Sequence, residues 1–525
     1  MKRREFWTTS AALAAAPHVA RSQESRTLRF VPYADVAVTD PVWSSTLATR
    51  SHALAVFDTL YGTAADYSVH PQMVAGHVVE NDGKLWRLTL REGLRFHDDT
   101  PVLAKDCVAS LNRWGKRDVF GQLLLAATDE LSAPDDRTIV FRLKRPFPLL
   151  PTALARPSTL VPVIVPERLA MTDAFAQMPE TIGSGPFKFL PGERVAGARL
   201  AYARHTGYVP RPDGVSSQTA GPRVAHVDRV EFHIIPDPAT AAAALQSGAM
   251  DWVEQPLVDL LPVLRRSRDI VIETKDKAGM IGHLRLNHLY PPFDKPEIRR
   301  ILMHAISQAD CMTAVAGDEL SMKNDRVGVF SPGTPMASEE GVPPPGTRAD
   351  IPALKRALDA AGYGGERVVF LAGADVQRVS AVCEVTSQVM RQLGMNVDYV
   401  STDWGTLNQR ITNRRPAAEG GWNCYCTYSA GADTTIPVTH TGLRTNGTAF
   451  QGGWANIPAI EALRTRWLDA PTLEAQQAIC REIQAVAMRE VPFIPLGQFI
   501  QPIAYRRSVT GIMDGLPVFT GLRKA

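Results

Sequence analysis

The densest set of side chains able to grip a small molecule lies between positions 404 and 440. It comprises Trp404, Trp422, Asn423, Tyr425, Asp433 and His440, with Cys424 and Cys426 inside the run from Gly420 to Tyr428. Apolar and aromatic walls with a few placed polar groups are the composition of a ligand cleft. Trp404, Trp422 and Tyr425 would supply walls, joined by Trp43 from far upstream, with Asn423 as a polar contact and Asp433 as the charge. Core packing competes with this role at each aromatic position. Cys424 and Cys426 stand two apart, so a strand would turn both sulfurs to one face, an arrangement that permits metal binding. With only His440 to join them the ligand set is poor, and the expectation is packed thiols with no metal and no cofactor. Covalent chemistry has no comparable signature: the chain contains no HExxH, GxSxG, Walker loop or CxxC. His52, His97 and His283 have no partners at metal spacing and read as surface or satisfied core residues. The residues point to binding, and a hydrolase reading lacks a nucleophile–base pair.

Those residues need a frame, and the flanking sequence supplies one. Val368 to Leu371 reads as a strand and Val379 to Leu393 as a helix, stopped by Gly394. Met395, Val397 and Tyr399 then alternate in a second strand, completing a βαβ unit just before Trp404. A second such unit runs from the strand Arg229 to Ile235, through an alanine-rich helix ending at Ser247-Gly248, to a short strand at Ala249 to Val253. Asp294, Pro296 and Glu297 carry helix-start chemistry. Ile298, Ile301, Leu302, Ala305, Ile306, Ala309, Met312 and Val315 then form one apolar stripe, which predicts a single helix with a core face. Leu473 to Glu490 is helical, followed by a strand at Val491 to Leu496. Pro343 to Gly346 is a surface loop.

Bulk composition narrows the class. The 525 residues are 45% hydrophobic and 21% charged, as in an ordinary globular protein, with room for about three domains of ~150 residues. A net charge of +3 gives no ground for nucleic acid as a partner. No internal stretch reaches the ~20 apolar residues of a membrane span. The N-terminus differs from the rest: Lys2-Arg3-Arg4-Glu5-Phe6 precedes the apolar stretch Ala11 to Ala16, then Pro17 and small residues to Ser22. This is the layout of a secretory signal over 1–22, and the arginine pair ahead of Phe6 suggests the twin-arginine route. Cleavage is expected between Ala16 and Gln23. No cysteine stands there, so the mature chain is expected to be soluble, periplasmic and without a lipid anchor. Six cysteines in so long a chain make no disulfide framework.

A longer pattern ties these pieces together. Asn81-Asp82-Gly83 is a turn, Leu85 to Leu90 alternates as a strand, Leu94 and Phe96 follow, Asp98-Asp99 turns, and a helix runs near Lys105 to Trp114. Further on come Gly183-Ser184-Gly185-Pro186-Phe187, the Ser247-Gly248…Asp251 phrase, Asn287 with Pro292-Phe293-Asp294, and Trp422. In order and spacing, from Leu28 to Tyr505, this resembles the family 5 solute-binding proteins, the peptide-, nickel- and opine-binding subunits of bacterial ABC importers. The resemblance implies an α/β type II periplasmic binding protein, two lobes joined by crossover strands with an extra inserted subdomain. It implies a first lobe of 27–57, 182–278 and 492–525, an inserted subdomain of 58–181, and a second lobe of 279–491. It also implies a monomer that captures a short peptide or similar small polar solute and delivers it to a membrane permease. Two departures stand out: Ser184 replaces the family's threonine, and the phrase W-x-A-D-Y-x-D-P, whose aspartate grips the α-amino group of a peptide, is missing after Trp422. Asp433 is the acid left for that role. A metal- or metallophore-binding member using Cys424, Cys426 or His440 is the alternative.

Overall fold

A computed structural model describes residues 26–525 apart from 159, 345, 450 and 451. The expected signal segment, 1–22, lies outside the described residues. Two large sheets and one smaller one carry the architecture. In the first, the strands are ordered Ile270–Glu273, Ile503–Arg506, Trp252–Val253, Thr27–Val31, Arg229–His233, Arg199–Arg204 and Phe187–Phe189. The expected βαβ unit at 229–253 forms, its helix Pro238–Ser247 capped by Asp237 at one end and stopped by left-handed Gly248 at the other. Thr27–Val31 lies between that unit's two strands and is parallel to both. Leu28 and Phe30 are turned into the core.

The second sheet is ordered Lys323–Asn324, Phe493–Phe499, Met280–Leu286, Cys424–Ala430, Arg367–Gly373 and Asn396–Thr402. Arg367–Gly373 and Asn396–Thr402 are parallel and joined by the helix Gln377–Gln392, as the periodicity requires. The third sheet, Val74–Glu80, Leu85–Leu90, Thr138–Leu143 and Thr128–Ser132, is antiparallel throughout. Helix Ala104–Gly115 packs near it and carries Arg113, whose guanidinium grips the Asp40 carboxylate at 3.1 and 2.7 Å in a fully buried pair.

Three expectations need correction. The apolar stripe at 298–315 is two helices, Pro296–Ala305 and Gln308–Ala316, because Ser307 leaves the helix and caps the second one through the Asp310 amide at 3.1 Å. The capping role assigned to Asp294 also fails: Lys295 is the cap residue, without a side-chain bond. The strand after the helix Leu473–Glu490 does not return to the first sheet at once. Phe493–Phe499 pairs with Met280–Leu286 in the second sheet, buried along its whole length, and the chain reaches the first sheet only at Ile503–Arg506.

The chain therefore passes between the large sheets twice, over 274–279 and 500–502, and Gln498 ties the two passages by donating to the Lys277 and Ala278 carbonyls at 3.1 and 2.8 Å. Gly279 sits at the first passage with φ +54°, where a Cβ would stand 2.5 Å from the Phe499 carbonyl oxygen. Gly183 and Gly185 have a different reason to be glycine: each runs so close to the Val56 backbone that a Cβ would overlap it.

Candidate functional site

A cleft of about 840 Å³ opens where the three sheets' segments meet. Tyr33 and Ser45 to Leu47 come from the segment after the first strand, Arg117, Asp118 and Arg156 from the segment around the third sheet, and Arg378, Trp404, Tyr428, Asp433 and Arg444 from the second. An adjoining cavity of about 740 Å³ shares Tyr33 and Arg378 with it.

Each wall residue has a local cause. Tyr33 follows the strand Thr27–Val31, and its amide donates to the Glu254 carboxylate at 2.8 Å, leaving the ring partly exposed. Burial pushes the Glu254 carboxyl pKa up. Asp118 caps the helix Val119–Ala127, accepting from the Phe120 and Gly121 amides at 2.8 and 3.1 Å, and its second oxygen receives Arg156. Arg156 also donates to the Ser158 carbonyl at 3.2 Å and stands 3.8 Å from the Asp433 carboxylate. Trp404 opens the helix Trp404–Arg410, its amide held by Asp375 at 2.8 Å, and its ring covers Gly373, where a Cβ would be 2.9 Å away. Tyr428 lies across Gly282, and its buried hydroxyl has no hydrogen-bond partner among the described residues. Burial raises that hydroxyl's pKa far above the ordinary phenol value.

The residues singled out from sequence divide sharply. Trp404 and Asp433 line the cleft. Trp422, Asn423 and Tyr425 are buried elsewhere: Trp422 is fully enclosed, with Tyr425 5.1 Å away edge-on and Trp454 at 5.3 Å. Asn423 is a backbone clamp, accepting from the Val369 amide at 2.8 Å and donating to the Pro291 carbonyl at 3.1 Å. Strand alternation explains the split, because Tyr425 points to the face packed by Val369, Leu371 and Leu407, opposite to Cys424 and Cys426. Trp43 is partly exposed and contributes its carbonyl to Arg117 at 3.1 Å, while its ring is outside the cleft lining. Tyr428, two residues past Cys426 on the same parity, is the member of that run which reaches the cleft. The arginines at 117, 156, 378 and 444 have no local signal at all.

The metal alternative finds no support in the geometry. Cys424 and Cys426 share a face, as expected, but they are enclosed in an apolar cluster, where burial drives both thiol pKa values well up. His440 stacks on His283 at 5.6 Å, its Nε2 bonds the Val329 carbonyl at 2.8 Å, and its Nδ1 accepts from the Gly442 amide at 3.0 Å. Burial lowers its pKa to about 3, so the ring is neutral and both nitrogens are committed. Among the described residues no group of three or more His, Cys, Asp or Glu is placed to hold a metal ion.

Comparison with known proteins follows the same line. Residues 68–428 match the model of the family described as bacterial extracellular solute-binding proteins, family 5 Middle. A probable peptide ABC transporter periplasmic-binding protein (y4tO) of Sinorhizobium fredii is 35% identical over 100% of both chains. Among solved structures, the periplasmic binding protein DppA from Helicobacter pylori, in complex with peptide STSA, superposes with a TM-score of 0.77. It is 19% identical, over 95% of this chain and 98% of that one. The binding protein AgaA from A. tumefaciens, in complex with agropinic acid, gives a TM-score of 0.73 at 20% identity, over 95% of this chain and 99% of that one.

Proposed function

Because the chain belongs to family 5 of the bacterial extracellular solute-binding proteins, we propose that it acts as the periplasmic capture subunit of a peptide ABC importer. Its family and relatives are substrate-binding transport proteins rather than enzymes, and its fold is the type II periplasmic binding protein fold. The observation that carries the reading is the cleft itself: one cavity of about 840 Å³ whose walls come from three distant segments of the chain. Clefts at such junctions bind small molecules, and the crossover passages between the large sheets are places where such a structure can bend. Only contacts that are stronger in the closed arrangement drive closure, so a ligand spanning the cleft stabilises the closed form that the permease reads.

Export by a twin-arginine signal over 1–22, a monomeric mature chain and a short peptide or similar polar solute as cargo complete the proposal. The sequence pattern Arg3-Arg4…Phe6 supports the first, and the full-length likeness to the Sinorhizobium fredii protein supports the last. No described helix is long and apolar enough to cross a membrane. The test is native mass spectrometry of the mature protein purified from its own periplasm, with denaturing identification of what it carries. A peptide or small polar solute at one per chain is the expected result. Stoichiometric metal in its place would overturn the peptide assignment.

A further inference from the structure

Ligand capture leaves six cysteines unused, and all six are free and buried. They fall into two cores. Cys107, on the helix Ala104–Gly115, and Cys480, on the helix Leu473–Glu490, belong to the larger apolar cluster. Cys311, Cys383, Cys424 and Cys426 belong to the cluster packed on the second sheet. Within that set the Cys383 and Cys426 thiols are hydrogen-bonded to each other, and the Thr386 hydroxyl stands 3.4 Å from the Cys426 sulfur. Burial pushes the pKa of Cys107, Cys311, Cys424, Cys426 and Cys480 up, so in the folded chain these thiols stay protonated and unreactive.

An oxidising compartment acts differently on the unfolded chain. Two thiols that meet the disulfide of a protein oxidant form an S–S bond, giving up two protons and two electrons. The oxidant's own disulfide is reduced to two thiols in the exchange. Closing a long flexible loop costs little more than closing a short one, so an unfolded chain can pair cysteines that are far apart in sequence. Taken in chain order the pairs are Cys107 with Cys311, Cys383 with Cys424, and Cys426 with Cys480. The first and the third join residues of different cores. A disulfide holds its two Cα atoms within about 7 Å. Either link therefore pulls one partner out of its core, and a chain so linked cannot complete both. A chain that folds first meets the oxidant with its thiols already enclosed.

We propose that this chain crosses the membrane already folded, with all six thiols reduced, and that the division of its cysteines between two cores makes a translocase of folded proteins its required partner. This rests on the twin-arginine reading of 1–22 given above and supplies a reason for it: the thiols have to be enclosed before export.

The test expresses the full chain in a Gram-negative host behind its own leader and behind a general secretory leader, which threads chains unfolded. Periplasmic protein is read by soluble yield and by alkylation of thiols before and after denaturation, with mass spectrometry locating any disulfide. Behind its own leader the protein is expected to need the twin-arginine translocase and to carry six thiols that are alkylated only after denaturation. Behind the secretory leader the yield is expected to fall several-fold, with Cys107 or Cys480 held in disulfides. Deleting the host's periplasmic disulfide oxidant is expected to restore that yield with the chain unchanged, and C107A/C480A to restore part of it; the deletion serves even where the double variant folds poorly. Full yield with six free thiols by the secretory route, or a yield that stays low without the oxidant, would overturn the thiol argument and leave the twin-arginine reading standing. Export behind its own leader in a host lacking that translocase would overturn the twin-arginine reading and the proposed partner with it, whatever the secretory leader gives.

Discussion

The Asp40–Arg113 pair decides how firmly one wall of the cleft is held, and its removal has a calculable cost. Both side chains are almost wholly buried, at 3% and 2% exposure, so water screens little of their interaction. Arg113 donates twice to Asp40, at 3.1 and 2.7 Å, and again to the Thr172 and Ala176 carbonyls at 3.1 and 2.7 Å. Asp40 in turn accepts from the amides of Val42, Trp43 and Met178 at 3.0, 3.3 and 2.9 Å. Removing one member of a buried pair costs about 3–5 kcal/mol because the other charge stays behind. Here the three amides still solvate the carboxylate, which places Arg113→Met at the lower end, about 3 kcal/mol. Asp40→Asn is expected to cost about the same, since the stranded guanidinium keeps its carbonyl partners. The double variant strands no charge, so it is expected near about 3 kcal/mol instead of the additive ~6. Hydrogen exchange of the helix Ala104–Gly115 amides measures this locally, without assuming that the whole chain unfolds in one step. Arg117 and Asp118 follow that helix directly, so exchange should quicken there too. A single variant costing below about 1 kcal/mol, or a double variant equal to the sum, would refute the reasoning.

Two further outcomes are expected. Trp422→Ala should cost about 3–5 kcal/mol of stability as a core truncation and leave ligand affinity unchanged below its melting temperature, whereas Trp404→Ala should weaken ligand binding with a smaller loss of stability; titration and urea unfolding of both variants separate the two roles. His52, His97 and His440 are each held by burial at a pKa of about 3. The unfolded chain takes up their protons below about 6.5 and the folded chain does not. Stability is therefore full above pH 6.5 and is lost as pH falls toward 3, each ring adding up to about 1.4 kcal/mol per pH unit. Urea midpoints between pH 7 and 4 should show the fall, and His440→Gln should flatten it by one ring's share; an unchanged slope would contradict the neutral assignment.

The elements were legible where a single local rule governs them. The unit from Arg367 to Thr402 follows from alternation, a helical stripe and Gly394, and the helix Leu473–Glu490 from its period. Errors arose where a local signal competed with a longer one. Ser307 cut an unbroken apolar stripe because a cap outweighs continuity of the pattern. Phe493–Phe499 stayed in the second sheet because pairing with Met280–Leu286, which lies over 200 positions upstream, is invisible locally. The site was harder still. Local composition drew attention to Trp422, Asn423 and Tyr425, but a cluster of aromatics is equally the signature of a core, and these three are core. Arg117, Arg156, Arg378 and Arg444 share no motif, and only the topology brings them to one cavity.

That separation has a functional logic. Cores need dense local packing, which clusters apolar residues in sequence, whereas a cleft between segments needs one or two groups from each. Arg156 illustrates it: Asp118, on its own side, neutralises and orients it, and Asp433 meets it from the other. The first contact is indifferent to closure because its partners share one segment. The second spans the cleft, so a bend about the passage that Gln498 pins at Lys277 and Ala278 would change it. A contact of that kind contributes to a population shift, and the first kind does not. The same distinction applies to a ligand: one that rests on a single segment would bind without closing the cleft, and it acquires leverage only by reaching a second.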